Sequence, residues 1–338
     1  MIRADASAQI GTGHLMRCIA LAQAWRRAGG GVWFVCCEIP LALENRLRAE
    51  RFGLRKLQVE RGSKEDAVRA VAMAQELGAM WVVADGYCFC VDYQLSIKEA
   101  GLRLLVIDDY GHTDHYHADL VLNQNLSARA ELYAGRDAYT RLLLGTRYVM
   151  LREEFLEYRG GRRDIPLVAR KVLMTLGGSD PDNVTGKVVE ALRGLNVEAR
   201  IVVGGTNPHI ERLRAGIGNL KNSELIVDAT NMPELMVWAD IAVAAGGSTC
   251  WELAFVGLPS LVLVLGEDQS KIATALQKHG VAENLGWAYQ VSEERIQQTL
   301  EGLLTDANRR REMSASGRRM VDGAGAQRVA EALREIEP

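Results

Sequence analysis

Short, almost uniformly apolar runs alternate with stretches of helical spacing along the whole chain. Residues 32–37, 54–59, 81–84 and 104–107 read as strands, separated by helical patterns such as residues 65–77. Strands that are apolar at every position have no solvated face, so they predict parallel sheets covered by helices on both sides. A further run at 142–144 precedes a charged amphipathic helix at 152–158. The polar stretch 159–166 follows, with two glycines, three arginines and a proline, and reads as a linker.

The pattern then restarts. Strands are expected at 172–175, 201–203, 241–244 and 261–265, and helices at 250–256 and 272–279. Glycine-bearing turns close these strands: Gly177-Gly178-Ser179-Asp180, Gly204-Gly205-Thr206, Gly246-Gly247-Ser248-Thr249 and Gly266-Glu267-Asp268-Gln269. The expectation is two domains, 1–160 and 166–338. Flexible backbone then lines the carboxyl ends of the strands, where open α/β sheets bind ligands.

The 338 residues suffice for two domains of ordinary size. Some 48% are hydrophobic and 25% charged, as in soluble globular proteins. A formal net charge of −3 provides no basic field for nucleic acid or an anionic membrane. Arg3 and Asp5 interrupt any apolar start, so no signal peptide is expected, and no apolar run is long enough to span a bilayer. The six cysteines (18, 36, 37, 88, 90 and 250) show no C-x-x-C, and Cys36, Cys37 and Cys250 lie in or beside apolar runs. Free thiols in a reduced cytoplasm are the expectation.

Residues 2–17 carry the densest chemistry. A short strand enters a loop with Gly11 and Gly13, and His14 opens a helix with apolar Leu15, Ile19 and Leu21. Glycine permits close backbone approach, and the open N–H groups of a helix start attract phosphate. An imidazole there can take a proton near neutral pH. As a dinucleotide fingerprint the loop is defective, because Met16 stands at the third glycine position, although Glu38 imitates the ribose-binding acid. A plain glycine turn with a helix-start histidine remains open.

Gly246-Gly247-Ser248-Thr249-Cys250-Trp251-Glu252 is the second strong segment. Ser248 or Thr249 suits an N-cap, neighbouring N–H groups suit a diphosphate, and Glu252 one turn on suits a ribose diol. Thr249 and Glu252 equally fit an ordinary capping box. Tyr87 follows the strand at 81–84 and reads as a sugar or phosphate contact or as packing. His112, His115, His117 and Asp119 invite a metal reading, opposed by a segment that reads as loop with no register to fix the ligands. His209 and His279 fall in helical patterns and are expected to face solvent, as is the charged stretch 309–319.

Together these residues resemble the UDP-2,4-diacetamido-2,4,6-trideoxy-β-L-altropyranose hydrolases of pseudaminic acid biosynthesis. The opening motif is carried by Arg3, Ala4, Asp5, Ser7, Ile10, Gly11, Gly13, His14 and Arg17. Asp85 with Tyr87, Asp108-Asp109, Asp119 through Asn123, Asn125, 151–155, Gly177-Gly178 and the region of Gln269 also agree. The resemblance covers most of residues 1–280. It implies a GT-B-like α/β fold, similar to the lipid II N-acetylglucosaminyltransferase: two Rossmann-like domains with parallel sheets facing an interdomain cleft. It also implies metal-independent hydrolysis without a cofactor, with a UDP-sugar as the partner; a GT-B transferase using a UDP-sugar donor and a non-catalytic UDP-sugar sensor stay open beside it.

Carried over residue by residue, the resemblance makes His14 the catalytic base, counts Tyr87 with it as a catalytic residue and gives Glu252 the ribose. Gly11, Gly13, Arg17, Gly178, Gly247, Ser248, Thr249, Asp268 and Gln269 complete the expected substrate contacts. One departure stands out: Asp268 occupies the position where asparagine is expected before Gln269. A carboxylate facing a diphosphate is repulsive, so Asp268 should turn away or serve the sugar.

Overall fold

The computed structural model describes every residue except Ala8, Ser179, Asn219, Lys221, Glu337 and Pro338. Ser179 of the third-quarter glycine turn therefore lies outside the described residues. The chain divides into two compact units, Met1–Glu153 together with the segment from Ala324 onward, and Glu154–Gly323.

Among the described residues the first unit holds seven strands: β1 (Ile2–Ala4), β2 (Trp33–Cys36), β3 (Gly53–Lys56), β4 (Trp81–Asp85), β5 (Arg103–Ile107), β6 (Leu120–Asn123) and β7 (Arg141–Leu144). They form one sheet in the order β3-β2-β1-β4-β5-β6-β7, parallel throughout. Alternate residues enter different cores. Trp81, Val83, Leu105 and Ile107 pack into one, and Val82, Ala84, Leu104 and Val106 into another. This two-sided burial is what the uniformly apolar strands predict.

The second unit holds β8 (Lys171–Thr175), β9 (Glu198–Val203), β10 (Ser223–Val227), β11 (Ile241–Ala245), β12 (Ser260–Val264) and β13 (Ala282–Trp287). The order β10-β9-β8-β11-β12-β13 is again all parallel. In each sheet the chain first builds outward on one side and then returns to build on the other. The reversal falls between β1 and β4, and between β8 and β11. A crevice opens at such a switch point beyond the strands' carboxyl ends, and ligands bind there.

The expected boundaries differ in two respects. The final helix, Gly325–Glu335, packs on the helix Gly13–Arg27, and Ala326, Val329, Ala330 and Leu333 join the first unit's core. Residues 159–166, read as linker, lie inside the second unit, where Arg163 donates to the carbonyls of Met236, Ala239 and Val256. Its guanidinium satisfies helix-end carbonyls. The helix at 152–158 is a single turn, Glu153–Leu156. The stretch 309–319 lies on a helix that is largely solvated, but Arg310 is fully buried and donates to the carbonyls of Leu303, Leu304 and Pro166.

Candidate active site

At the first switch point, β1 feeds a loop that is tied down before it reaches His14. Asp5 Oδ1 accepts from the N–H groups of Cys37 and Glu38 at 2.6 and 3.0 Å, and Oδ2 pairs with the buried Arg3 at 2.7 Å. Arg3 also forks onto Asp66 at 3.0 and 2.8 Å. Glu38 is exposed and pairs with Arg61, so a cation already answers the ribose acid of the dinucleotide reading. Further along, Ser7 Oγ accepts from the N–H groups of Gln9 and Ile10, and Gly11 N–H closes back on the Ser7 carbonyl at 2.8 Å. Gly11 has φ +79°, a conformation that favours glycine. Thr12 then caps the helix Gly13–Arg27 with no side-chain hydrogen bond and no acidic residue in the first turn, so the opening N–H groups stay available.

His14 is held from one side only. Its Nδ1 lies 2.6 Å from Asp85 Oδ1, at the carboxyl end of β4. Arg17, one turn beyond His14, donates Nε to Asp85 Oδ2 and Nη2 to Asp85 Oδ1, both at 2.7 Å. Its Nη1 reaches both oxygens of Asp109 at 2.8 and 3.0 Å. Asp109 also accepts from the Tyr87 hydroxyl at 2.8 Å and from Asn125 Nδ2 at 2.7 Å. The Tyr87 ring meets the His14 ring edge-on, with centroids 5.2 Å apart at 82°.

Burial disfavours charge on Asp85, but Arg17 and His14 outweigh it and hold the carboxyl well below the usual carboxylate range. Asp109 is lowered in the same way, with burial opposed mainly by Arg17. Arg17, desolvated but flanked by both carboxylates, is raised further above its already high value. An ionised Asp85 can only accept, so His14 Nδ1 carries a proton, and in the neutral imidazole Nε2 keeps its lone pair. Among the described residues Nε2 has no hydrogen-bond partner. This is the geometry of an imidazole oriented by a buried acid to work as a base.

Arg17, expected as a substrate contact, places its donors on Asp85 and Asp109 in this structure. The resemblance carries Asp85, Asp109 and Asn125 as motif residues and assigns them no place in the site. Their position at the ends of β4, β5 and β6 was the available signal. Behind Tyr87, Asp108 accepts from Gly111 N–H, His112 Nδ1 and Tyr116 OH at 2.6, 2.9 and 2.9 Å. His112 is thus a buried clamp on the loop beneath Tyr87. Asp119 is tied to Lys98 and to Leu104 N–H.

The second switch point brings Gly177-Gly178 together with Gly246-Gly247-Ser248. The two helices that start here differ. Asp180 accepts from Val184 and Thr185 N–H, both at 2.8 Å, and so closes the start of Val184–Ala191. The helix Thr249–Val256 begins at Ser248 without a side-chain cap. Thr249 is its first residue, and Ser248 stands at the cap position. A Cβ on Gly247 would meet open space, whereas one on Gly246 would press on Gln269 at 3.0 Å.

Gln269 reaches back from its helix, and its Oε1 accepts from Gly246 and Leu265 N–H, both at 3.1 Å. It pins the turn after β11 to the end of β12. Asp268 is exposed in the first turn of Glu267–Lys278, with its carboxylate folded over Gly266. Glu252 is half-buried in the first turn of Thr249–Val256, where a negative charge suits the helix dipole. Gly178 lies against Gly204: a Cβ on the latter would sit 2.3 Å from the Gly178 carbonyl oxygen. Of the histidines expected to face solvent, His279 is exposed, while His209 is half-buried on the Pro181 carbonyl at 2.9 Å.

Comparison with known proteins agrees with this architecture. Residues 172–332 match the glycosyltransferase family 28 C-terminal domain. The chain is 24% identical over 282 residues to a UDP-2,4-diacetamido-2,4,6-trideoxy-β-L-altropyranose hydrolase of Campylobacter jejuni, covering 83% of this chain and 96% of that one. It is 28% identical over 245 residues to the spore coat polysaccharide biosynthesis protein SpsG of Bacillus subtilis, covering 70% and 71%. Among solved structures, MurG of Acinetobacter baumannii superposes with a TM-score of 0.67 at 17% identity over 99% of each chain. MnaA of S. aureus, solved with UDP, superposes with a TM-score of 0.70 at 13% identity, covering 99% of this chain and 95% of that one. The resemblance read from the opening motif holds, and the fold is that of the GT-B class: two Rossmann-like parallel-sheet domains.

Proposed function

We propose that the chain is a UDP-sugar hydrolase that converts UDP-2,4-diacetamido-2,4,6-trideoxy-β-L-altropyranose to 2,4-diacetamido-2,4,6-trideoxy-L-altrose and UDP. The observation that carries the chemistry is the His14–Asp85 pair, with Nδ1 held at 2.6 Å and Nε2 open. Relatives of that name carry the substrate class, and solved neighbours with UDP or UDP-glucose support a uridine nucleotide ligand. The reaction proceeds in the cytoplasm.

In this reading the diphosphate meets the uncapped start of Thr249–Val256 beside Gly247, Ser248 and Gly178, and Glu252 holds the ribose. Gly11 and Gly13 let the sugar approach closely, and Tyr87 lies against it. His14 Nε2 takes a proton from water as the water oxygen bonds to the anomeric carbon. The bond from that carbon to the phosphate oxygen breaks, and its electron pair leaves with UDP. Attack and departure on opposite faces invert the anomeric centre. The leaving charge is met by backbone N–H donors and the helix dipole without a metal. Asp268 turns away from the diphosphate, and Gln269 shapes the turn that receives it.

His14→Ala tests the assignment. A positioned base contributes about 10²–10⁴ in rate, so turnover should fall by that factor while UDP affinity is kept. Equal loss of both would remove His14 from the role of base. A second reading, a GT-B transferase delivering the same sugar to an acceptor hydroxyl, is favoured by the family 28 match at 172–332. Turnover that requires an added acceptor would select it.

A further inference from the structure

We infer that the first unit carries a zinc site, built from His115, His117 and Asp137, that is separate from the His14 chemistry. The sequence alone shows no register that would fix ligands in this segment. The structure supplies one. Tyr116 forms a parallel bridge with Arg136, its N–H donates to the Gly135 carbonyl at 2.9 Å, and Asp137 N–H donates to the Tyr116 carbonyl at 3.2 Å. Side chains two apart on extended backbone share a face. Tyr116 is fully buried and bonded to Asp108, which leaves His115 and His117 together on the opposite face.

Both imidazoles turn to one carboxylate from the bridged partner segment. His115 Nε2 lies 3.0 Å from Asp137 Oδ1, and His117 Nδ1 lies 3.0 Å from Oδ2. One ligand atom from each residue falls within 4.8 Å of the others. Zinc bonds of about 2.0–2.2 Å in a tetrahedron put ligand atoms about 3.3 Å apart, so small side-chain shifts convert the cluster into a chelate. Tyr139 OH donates to Asp137 Oδ2 at 2.7 Å and orients the carboxylate, as outer partners of metal ligands do. Two imidazoles and one carboxylate suit zinc, with water in the fourth position.

All three side chains are 22–37% exposed, so an ion can enter from solvent. His112 and Asp119 are engaged elsewhere, His112 with Asp108 and Asp119 with Lys98. The ion would rivet residues 115–117 to 135–139, on the segment that runs on from Asp108 and His112 beneath Tyr87. No step of the hydrolysis passes through it.

The test uses the full chain, free of any affinity tag and stripped with chelator, titrated calorimetrically with zinc chloride and in parallel with cobalt(II). One equivalent should bind per chain, raise Tm by linkage, and give visible cobalt bands of tetrahedral intensity without thiolate charge transfer. Asp137→Asn, His117→Gln and His115→Gln should each abolish the stoichiometric binding and the Tm rise, with circular dichroism showing that the variants remain folded. Cys88→Ser/Cys90→Ser should bind as the parent does. Absence of saturable binding, thiolate bands in the cobalt spectrum, or binding that survives the Asp137 and His117 substitutions would each overturn the site.

Discussion

Asp85→Asn isolates how the buried acid governs His14. In the parent, Oδ1 accepts from His14 Nδ1 at 2.6 Å and Arg17 Nη2 at 2.7 Å, and Oδ2 accepts from Arg17 Nε at 2.7 Å. An asparagine must turn its NH2 toward one of these two positions. At the Oδ2 position it would confront Arg17 Nε–H, which has no other acceptor among the described residues. At the Oδ1 position the imidazole can adapt by moving its proton to Nε2. Nδ1 then accepts from the new amide and from Arg17 Nη2, which already lies 3.1 Å away. The second orientation wins, and it removes the Nε2 lone pair that should receive the proton from water.

The expected loss in kcat is about 10²–10⁴, or about 2.7–5.4 kcal/mol of transition-state stabilisation. Breaking a buried ion pair costs about 3–5 kcal/mol of stability, and Asp109, which still faces Arg17, keeps this variant toward the lower end. UDP release under saturating and single-turnover conditions gives kcat, urea unfolding gives the stability, and calorimetry gives UDP affinity. A folded variant with undiminished kcat would refute the orientation argument.

Tyr87→Phe keeps the edge contact on His14 and removes one hydrogen bond to Asp109, so stability should fall by only about 0.5–1.5 kcal/mol, measured by urea unfolding. Gly247→Ala enters open space in the free protein, so stability should stay within about 0.5 kcal/mol while calorimetric UDP affinity falls at least tenfold. Leu333→Ala removes a core contact of the returning helix and should cost about 2–5 kcal/mol in unfolding free energy; a negligible change would mean that the helix does not belong to the first unit's core. Asp109 is ionised in the fold at pH values where the unfolded carboxylate takes up protons, so its contribution is complete above about pH 4 and is lost as pH falls through the lower folded value. The stability gap between the parent and Asp109→Asn should therefore be constant from neutral pH down to that point and shrink below it.

The fold was legible wherever burial on both faces forced a strand to be apolar throughout. The strands 81–84, 104–107, 172–175 and 241–244 all appear within a residue or two of expectation. β10 and β13 escaped because edge strands keep polar positions, as Ser223, Glu224, Glu283 and Asn284 show. β6 was hidden behind a histidine- and aspartate-rich loop. The return of Gly325–Glu335 to the first unit had no local signal, because an amphipathic helix does not declare which sheet it covers.

At the candidate site, Gly11, Gly13 and His14 were legible as a loop. The partnership of His14 with Asp85 joins residues 71 positions apart and became visible only with strand order. The same holds for Arg17, whose two acidic partners close strands on the far side of the reversal. Of the histidines and Asp119 in 112–119, His115 and His117 meet at Asp137, which arrives from a segment about 20 residues downstream, while His112 and Asp119 pair elsewhere.

The most direct test of the account is hydrolysis of the UDP-diacetamido-trideoxyaltrose in ¹⁸O-labelled water, without added acceptor, followed by proton NMR with mass analysis of both products. The account predicts that the label enters the free sugar, that the anomer first formed is inverted, and that UDP stays unlabelled. Label in UDP, or an intact substrate in the presence of protein that binds UDP, would contradict it.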